Sequence, residues 1–548
     1  MKNYQTKYKS LLLFVALSFS LTSLRAQSNG FEVIKNMELM DLIYQNLDMY
    51  FVDDPQPGKL SKVGIDAMLK ELDPYTVYYH ENDMEDYRLM TTGQYGGIGS
   101  TIRKIKGNTY IIEPYENSPS AKAGLKAGDQ ILSIDGKNMK DKNSEEVSTS
   151  LKGPKGTTIQ LEIQRDGKTL MIPITRDEIK LPDVPYSGIV KDGIGYIKLN
   201  SFTQTAASDV EKAFNELKAE GMKELILDLR GNGGGLLIEA VKIVNLFVKR
   251  GQTIVTTKGR VEEENRTYKT MANPTDLNIP LTVLVDENSA SASEIVAGSL
   301  QDLDRAVIIG TTSYGKGLVQ RIYDLKYGSK MKLTVAKYYT PSGRCVQKLE
   351  YYDKADGSKP TEIADSLLKK FKTANGREVI DGRGIEPDIA IDKNELSRLT
   401  GTLYVDNIIF DYATKYAKAH ESIADPKTFK LTESDYADFK KCVLEQEFTY
   451  STASEEMLKK MKTTAEEEGY YSDASDEYAK LMAKVVPSKE RDLEKFKSEI
   501  IELLENEIVS RYYYQKGRVI NSFHYDDFVE KAIEILNNPS EYSKVLKP

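Results

Sequence analysis

The spacing of apolar residues changes several times along the chain, and each change marks a predicted region. Residues 27–90 carry apolar side chains at helical spacing, which predicts an N-terminal helical segment. In residues 91–178 short apolar runs alternate with glycine turns, which predicts a small β-rich domain. Within it, "IQLEIQRDGKTLMIPI" predicts a hairpin that turns at Asp166 and Gly167.

Beyond residue 178 the pattern indicates a larger domain. In residues 179–393 apolar runs such as "GIGYIKL", "ELILDLR" and "LTVLV" are separated by helical stretches, the pattern of an α/β core. Within this region residues 350–377 are polar and predict a loop or an insertion. Residues 394–548 are charged, with an apolar stripe at helical spacing, and predict a helical extension.

The first 26 residues differ from everything that follows. Lys2, Lys7 and Lys9 precede the apolar run "LLLFVALSFSL", and the segment ends at the small residue Ala26. This pattern predicts a cleaved secretory signal peptide, residues 1–26, and therefore a periplasmic protein. The run is short for a membrane span, and an uncleaved N-terminal anchor is the alternative.

Composition excludes several classes of function. The net charge of −8 gives no basic surface for nucleic acid, so no nucleic-acid partner is expected. Cys345 and Cys442 are the only cysteines, and the chain has three histidines. These numbers argue against a disulfide framework and against a zinc site, so we predict no metal and no other cofactor.

The stretch "DENSASASEI" follows the apolar run "PLTVLV" and contains three serines at alternate positions. The apolar spacing beyond it predicts that a helix begins near Ser291. At such a turn, unpaired backbone N–H groups and the positive end of the helix dipole can stabilise an alkoxide. The more common role of such a serine is simply to cap the helix.

A nucleophilic serine needs a base, and the histidines lie far away in sequence. Lys316 stands between two glycines in "TTSYGKGLVQ", and a desolvated lysine can act as a general base. Gln320 is predicted to share a strand face with it and to hold the amine. The alternative is a surface lysine in a turn. The same stretch also resembles a phosphate-binding loop, but Gly317 lacks the required hydroxyl and a strand follows, so we reject that function.

A glycine cluster, "LDLRGNGGG", ends another predicted strand at Gly235. Consecutive glycines allow backbone N–H groups to converge on one anionic oxygen, as in an oxyanion hole. A tight turn that needs a positive φ is the alternative.

These motifs, with "YYTPSGRCVQ" and "GRGIEPDI", together resemble the C-terminal processing peptidases, also called tail-specific proteases. The resemblance covers about residues 72–391. It implies that Ser291 is the nucleophile, Lys316 the base and Gln320 its orienting partner. It also implies an oxyanion hole formed by the amide of Ala292 and one amide of the glycine turn, Gly233 or Gly234.

A second resemblance lies in "YGGIGS" and "NSPSAKAGLKAGDQILSIDGKNM", which are similar to a PDZ domain of the protease-linked kind. Such a domain implies a loop that binds a terminal carboxylate through backbone N–H groups, and a strand that pairs with the peptide. The loop maps onto Gly96, Gly97, Ile98 and Gly99. Ile98 is suited to line a pocket for an apolar last residue, and packing in the domain core is an equally good alternative. In related peptidases an arginine placed like Arg165 couples this domain to the catalytic core; a solvated hairpin arginine is the alternative.

The sequence therefore predicts a multidomain α/β protein: an α/β peptidase core with an inserted, β-rich PDZ domain, an N-terminal helical segment and a C-terminal helical extension. We expect an exported serine endopeptidase that cleaves proteins near their C-termini after docking the tail on the PDZ domain. The alternative is a non-catalytic periplasmic PDZ binding or scaffold protein, against which the intact Ser291, Lys316 and Gln320 argue. The sequence leaves open whether the chain forms a homodimer or binds an adaptor protein.

Overall fold

The structure is a computed structural model that describes residues 30–81, 84–351, 360–392 and 395–547. The predicted signal peptide lies outside these residues. Every helix among them is either too short or too polar to span a lipid bilayer. The described residues divide into two compact units: residues 30–80 together with Tyr323–Lys332, and the other described residues.

The first unit is mainly helical, as predicted, but it also contains a strand. That strand pairs antiparallel with Lys330–Lys332 of the same unit. The apolar positions that predicted the first helix are largely exposed; Ile34 is 60% exposed and Met37 68%. The elements are α1 (residues 30–50), α2 (Pro57–Lys70) and β1 (Val77–Tyr79).

In the second unit a short helix leads into the β-rich domain, whose strands surround one apolar core. The predicted hairpin is confirmed: its two strands pair up to Arg165 opposite Lys168, and Asp166 and Gly167 both have positive φ, as a two-residue hairpin turn requires. The elements are α3 (Met84–Thr92), β2 (Gln94–Gly97), β3 (Ser100–Ile105), β4 (Asn108–Pro114), α4 (Pro119–Lys122), β5 (Gln130–Ile134), β6 (Lys137–Asn138), α5 (Ser144–Leu151), β7 (Thr158–Arg165), β8 (Lys168–Thr175) and β9 (Asp177–Lys180).

The sheet of this domain runs in the order β3-β4-β5-β7-β8, with β6 paired to β5, while β2 and β9 form a separate ladder. Strand β3 is therefore an edge strand, and α5 lies beside it. A strand with an open edge can accept a further strand from another chain.

The α/β core is built on a six-stranded sheet, as the alternating pattern predicted. Its order is β10-β11-β12-β15-β16-β23; β10 pairs antiparallel with β11, and the other pairs are parallel. The elements are β10 (Tyr186–Lys191), β11 (Ile194–Lys198), α6 (Ala206–Ala219), β12 (Glu224–Asp228), α7 (Leu237–Asn245), β13 (Thr253–Gly259), β14 (Arg266–Lys269), β15 (Leu281–Val285), α8 (Ala292–Asp302), β16 (Val307–Gly310), β17 (Leu318–Asp324), β18 (Lys330–Tyr339), β19 (Leu349–Glu350), β20 (Thr361–Glu362), β21 (Lys370–Lys372), β22 (Glu378–Ile380) and β23 (Ile389–Ala390).

The polar segment of residues 350–377 is not a plain loop. Its described part contributes strands to two short antiparallel ladders, β19 with β20 and β21 with β22, which extend just beyond its two ends. Arg377 forms ion pairs with Asp304 and Asp388 of the core, and the Asn375 side chain donates to the Leu546 carbonyl at 2.7 Å. These contacts fix the segment to the core.

The C-terminal region is helical, as predicted, although the apolar stripe spans two helices that meet at Phe496 and not one. The long helix α15 is interrupted at Tyr514, whose φ is 55°. The elements are α9 (Arg398–Val405), α10 (Ile408–Ala419), α11 (Glu433–Leu444), α12 (Ala453–Glu467), α13 (Tyr471–Val485), α14 (Lys489–Lys495), α15 (Lys497–Ser522), α16 (Asp527–Leu536) and α17 (Pro539–Leu546).

The last two helices belong structurally to the core sheet. One face of that sheet packs against α6, α7 and α8. On the opposite face, side chains such as Ile226, Leu284 and Ile309 pack against Val529 and Ile535 of α16 and neighbouring residues of α17. Each central strand is therefore apolar on both faces, as parallel strands between two helical layers are.

Candidate active site

Ser291 lies at the turn between a buried strand and a buried helix. Strand β15 ends at Val285, and Ser291 immediately precedes α8, where the sequence predicted the helix to begin. Its φ of 56° and ψ of −110° lie in a region that non-glycine residues rarely adopt. The Tyr338 hydroxyl donates to the Ser291 carbonyl at 3.2 Å. Such a backbone, held by its surroundings, is characteristic of functional sites.

Glu294, one turn into the same helix, is the residue that sequence reasoning missed. It is fully buried, and its carboxylate accepts four hydrogen bonds. One oxygen accepts from the backbone N–H of Ser291 and of Lys316, each at 2.8 Å; the other accepts from the Gly315 N–H at 2.7 Å and the Ser313 hydroxyl at 2.6 Å. Burial raises the pKa of Glu294, and these donors oppose that shift.

The Glu294 carboxylate brings the predicted nucleophile and base together. Because a single carboxylate oxygen lies 2.8 Å from the backbone nitrogens of both Ser291 and Lys316, the two nitrogens are no more than twice that distance apart. The glutamate three residues after the serine was the available signal, but the same spacing also describes an ordinary helix capping box. Only the fold reveals that three of its four donors come from the loop that carries Lys316.

The expectation that Lys316 and Gln320 share a strand face is wrong, because β17 begins only at Leu318 and Lys316 lies in the loop before it. The Gly317 N–H donates to the side-chain oxygen of Gln347 at 2.7 Å, and the Gly317 carbonyl accepts from the Tyr338 N–H at 2.9 Å. The Gln320 amide nitrogen donates to the Thr334 hydroxyl at 3.1 Å. Within the described residues its amide oxygen, the atom that an ammonium group would need, has no hydrogen-bond partner.

The glycine turn packs directly against Ser291. A Cβ added to Gly234 would lie 2.9 Å from the Ser291 Cβ and 3.0 Å from the Ala292 nitrogen, so only glycine fits there. The Gly234 N–H already donates to the Asn232 side chain at 2.9 Å. In contrast, the N–H groups of Ala292 and Gly233 have no acceptor among the described residues. Of the two glycines that the sequence suggested, Gly233 is therefore the one with an open donor.

A buried ionic network anchors the strand that leads to this turn. Arg230 contacts Asp228 at 2.6 Å and Asp526, at the start of α16, at 2.7 Å. Burial alone would raise the pKa of Asp228, but Arg230 and Lys198 hold it well below its usual range. The network connects the glycine turn to the C-terminal helices.

In the β-rich domain, the predicted carboxylate loop is only partly open. Gly96 and Gly97 lie in β2 and pair with β9, and the Gly96 N–H also donates to Glu85 at 2.8 Å. The N–H groups of Ile98 and Gly99 have no acceptor in the part of the chain that the structure describes. The Ile98 side chain is only 2% exposed and packs in the domain core. It therefore supports the loop from below and does not line an open pocket.

Arg165 contacts its own domain in this structure. It donates to the two Asp129 oxygens at 2.6 and 2.5 Å, and to the Gly124 carbonyl at 2.7 Å. The neighbouring Asp166 pairs with Lys418 of the C-terminal helices. Arg165 is thus neither a freely solvated hairpin residue nor, in this arrangement, a contact to the α/β core.

Comparison with known proteins gives three family matches along the chain. Residues 193–354 match "Peptidase family S41", residues 96–175 match "PDZ domain", and residues 399–536 match "Probable PDZ-protease, C-terminal helical domain". The third match assigns the C-terminal region, in which we found no motif. The structure, with its mixed α/β core and PDZ domain, agrees with these matches.

The chain is also similar to individual proteases. It is 38% identical over 351 residues to a "Carboxy-terminal-processing protease" of Bartonella bacilliformis, an alignment that spans 62% of this chain and 80% of the relative. It is 34% identical to a "Probable CtpA-like serine protease" of Staphylococcus haemolyticus, over 56% of this chain and 62% of the relative. A solved photosystem II D1 C-terminal processing protease overlaps 64% of this chain and 86% of its own, with 27% identity and a TM-score of 0.36. The chain belongs to the C-terminal processing peptidases of peptidase family S41, and it is a serine-type protease.

Proposed function

We propose that this protease cleaves exported proteins near their C-termini with a dyad of Ser291 and Lys316, after docking the substrate tail on its PDZ domain. The observation that carries the dyad is the Glu294 carboxylate, one oxygen of which binds the backbone of both residues at 2.8 Å. Family membership supports the reaction, and the roles of the individual residues are our assignment.

In the proposed reaction the Lys316 amine takes the proton of the Ser291 hydroxyl, whose oxygen attacks the substrate carbonyl. The open N–H groups of Ala292 and Gly233 stabilise the negative oxygen that develops. The lysine then gives its proton to the leaving amine, and water releases the acyl group by the reverse sequence. Since only a neutral amine can accept the proton, activity is expected to rise with pH as Lys316 deprotonates.

The open N–H groups of Ile98 and Gly99 support docking of a terminal carboxylate. A carboxylate held by backbone N–H groups makes charge-assisted hydrogen bonds that an amidated terminus cannot make. The rest of the tail would pair with the open edge of β3. Arg165 is proposed to leave Asp129 and contact the core only in an active arrangement, which a bound tail favours if it binds that arrangement more tightly.

The proposal is tested by cleavage of an unfolded substrate that carries either a free or an amidated C-terminus. Ser291→Ala and Lys316→Ala should each abolish turnover, because nucleophile and base act as a unit. Ser299→Ala is the matched control, since this serine is buried in the same helix and its hydroxyl donates to the Ile254 carbonyl at 3.0 Å, away from the lysine loop. Wild-type cleavage by Ser291→Ala would disprove the dyad, and equal cleavage of both substrate forms would disprove tail docking.

Export rests on the first 26 residues alone. If the signal peptide is cleaved as proposed, N-terminal sequencing of protein recovered from the periplasm should begin near Gln27. A mature chain that still carries Leu11–Leu21 would instead favour the membrane anchor.

A further inference from the structure

The PDZ sheet rests with one face on the C-terminal helices. Arg103 of β3 donates to the Asn407 side chain at 3.2 Å, and its guanidinium lies 5.7 Å from the centre of the Tyr404 ring. On β4, Glu113 pairs with Arg518 at 3.2 Å. A strand added to the edge of β3 would extend this sheet, so alternate side chains would point toward the PDZ interior and toward the C-terminal helices.

The docking proposed above fixes which tail residue faces Arg103. With the terminal carboxylate at the N–H groups of Ile98 and Gly99, the last tail residue lies opposite Ser100. An antiparallel partner then advances one residue for each residue of β3, and the fourth residue from the tail's end lies opposite Arg103. Directly opposed residues of an antiparallel pair project on the same face and interact.

Arg103 is equipped to bind an anionic side chain. Its only hydrogen bond within the described residues uses one of its five N–H groups, toward Asn407. It forms no ion pair there, and neither does Lys104 beside it, whose amine donates to the Asp141 backbone carbonyl at 3.0 Å. With Lys106 in the following turn, this end of β3 carries three positive charges.

We propose that Arg103 is a specificity-determining residue, which selects substrate tails with an acidic side chain at the fourth position from the C-terminus. Asn407 and Tyr404 of the C-terminal domain hold its guanidinium beside the edge strand. The inference rests on the proposed docking of tails along β3. It gives the C-terminal helical domain a role in choosing substrates.

The test measures binding of fluorescent peptides to the full-length chain with Ser291→Ala, so that nothing is cleaved. The peptides share one apolar last residue and differ only at the fourth residue from the end, which is Glu, Gln or Lys. The Glu peptide should bind roughly twofold to fivefold more tightly than the Gln peptide, as one partly exposed charge pair allows. The Lys peptide should bind least well.

Charge reversal provides the decisive comparison. Arg103→Glu should reverse the preference to Lys over Glu, whereas Arg103→Lys should keep the original order because the charge is retained. Lys104→Glu is the matched control: it makes the same charge change one residue along, where the side chain projects on the other face of the strand. It should weaken binding of all acidic peptides slightly and leave the order of preference unchanged.

Two outcomes overturn the inference in distinguishable ways. In the first, free-acid peptides bind better than their amides, but either the fourth residue has no effect on affinity or Lys104→Glu reverses the order of preference just as Arg103→Glu does. Tail docking is then supported, but Arg103 does not select the tail. If acid and amide peptides bind equally, tail docking fails and this inference fails with it.

Discussion

Replacing Glu294 by glutamine should slow catalysis strongly while the protein remains folded. The carboxylate accepts two hydrogen bonds on each oxygen, and the two on one oxygen come from the backbones of Ser291 and Lys316. A glutamine side chain has nearly the same shape, but it presents an NH₂ group to one of these pairs of donors. Two hydrogen bonds are then lost, and donor faces donor.

The size of the effect follows from the bonds that are lost. A hydrogen bond to a charged group contributes about 1.5–3 kcal/mol, so two of them contribute roughly 3–6 kcal/mol. The two loops can avoid part of this loss by moving apart. A displacement of about 1 Å between reacting groups lowers a rate roughly a hundredfold. We therefore expect kcat of Glu294→Gln to fall by about two orders of magnitude, with KM little changed because the proposed docking surface on the PDZ domain is not altered.

The assay is steady-state cleavage of a tailed substrate, with thermal unfolding measured on the same samples. Asp302→Asn is the matched control at the opposite end of the same helix, where this buried carboxylate binds Arg344 at 2.8 Å. Breaking that ion pair should lower the free energy of unfolding by about 3–5 kcal/mol and leave kcat unchanged below the new melting temperature. A Glu294→Gln protein that is folded and cleaves at the wild-type rate would refute the role of this carboxylate.

Two further predictions use other parts of the molecule. Burial, together with neighbouring carboxylates of which Asp526 has the largest effect, raises the pKa of Glu502 from 4.5 to about 7. The carboxyl group loses its proton at lower pH in the unfolded chain, so the free energy of unfolding falls as pH rises from about 4.5 to about 7. Glu502→Gln should therefore stabilise the protein by about 1–2 kcal/mol near pH 8, after allowance for solvent screening. Denaturant titrations should show no such effect near pH 4. Gly234→Ala should lower kcat severely, because the new Cβ would lie 2.9 Å from the Ser291 Cβ and the φ of residue 234 is +100°. Gly233→Ala should be tolerated, because a Cβ at residue 233 would have open space around it. Comparable kcat values for the two alanine variants would contradict this steric argument.

The sequence predicted those features that depend on local order. The hairpin at Asp166, the strands of the α/β core and the helix that starts after Ser291 are confirmed, because each is encoded by a periodicity and a turn within a short segment. For the same reason the sequence placed Ser291 and the glycine turn each after a predicted strand; the structure adds that these two strands, β15 and β12, are parallel neighbours.

Features that depend on long-range contact could not be read in the same way. Glu294 resembles any capping residue until the loop of Gly315 and Lys316 is folded against it. The prediction that Lys316 and Gln320 share a strand face is wrong because Lys316 lies in a glycine loop that precedes the strand. Nothing in the amphipathic pattern of α16 distinguishes a surface helix from one that covers the catalytic sheet.

That covering by α16 and α17 has a consequence for how the enzyme is made. The last core strand ends at Ala390, yet one face of the sheet stays uncovered until Leu546 has been synthesised. At about 5–20 residues per second this interval lasts roughly eight to thirty seconds. During that time the strands that position Ser291 lack half of their packing, so the nascent chain cannot yet hold a competent site. Activity is therefore expected only after α16 and α17 have been synthesised, which protects the ribosome and the chain itself from premature cleavage.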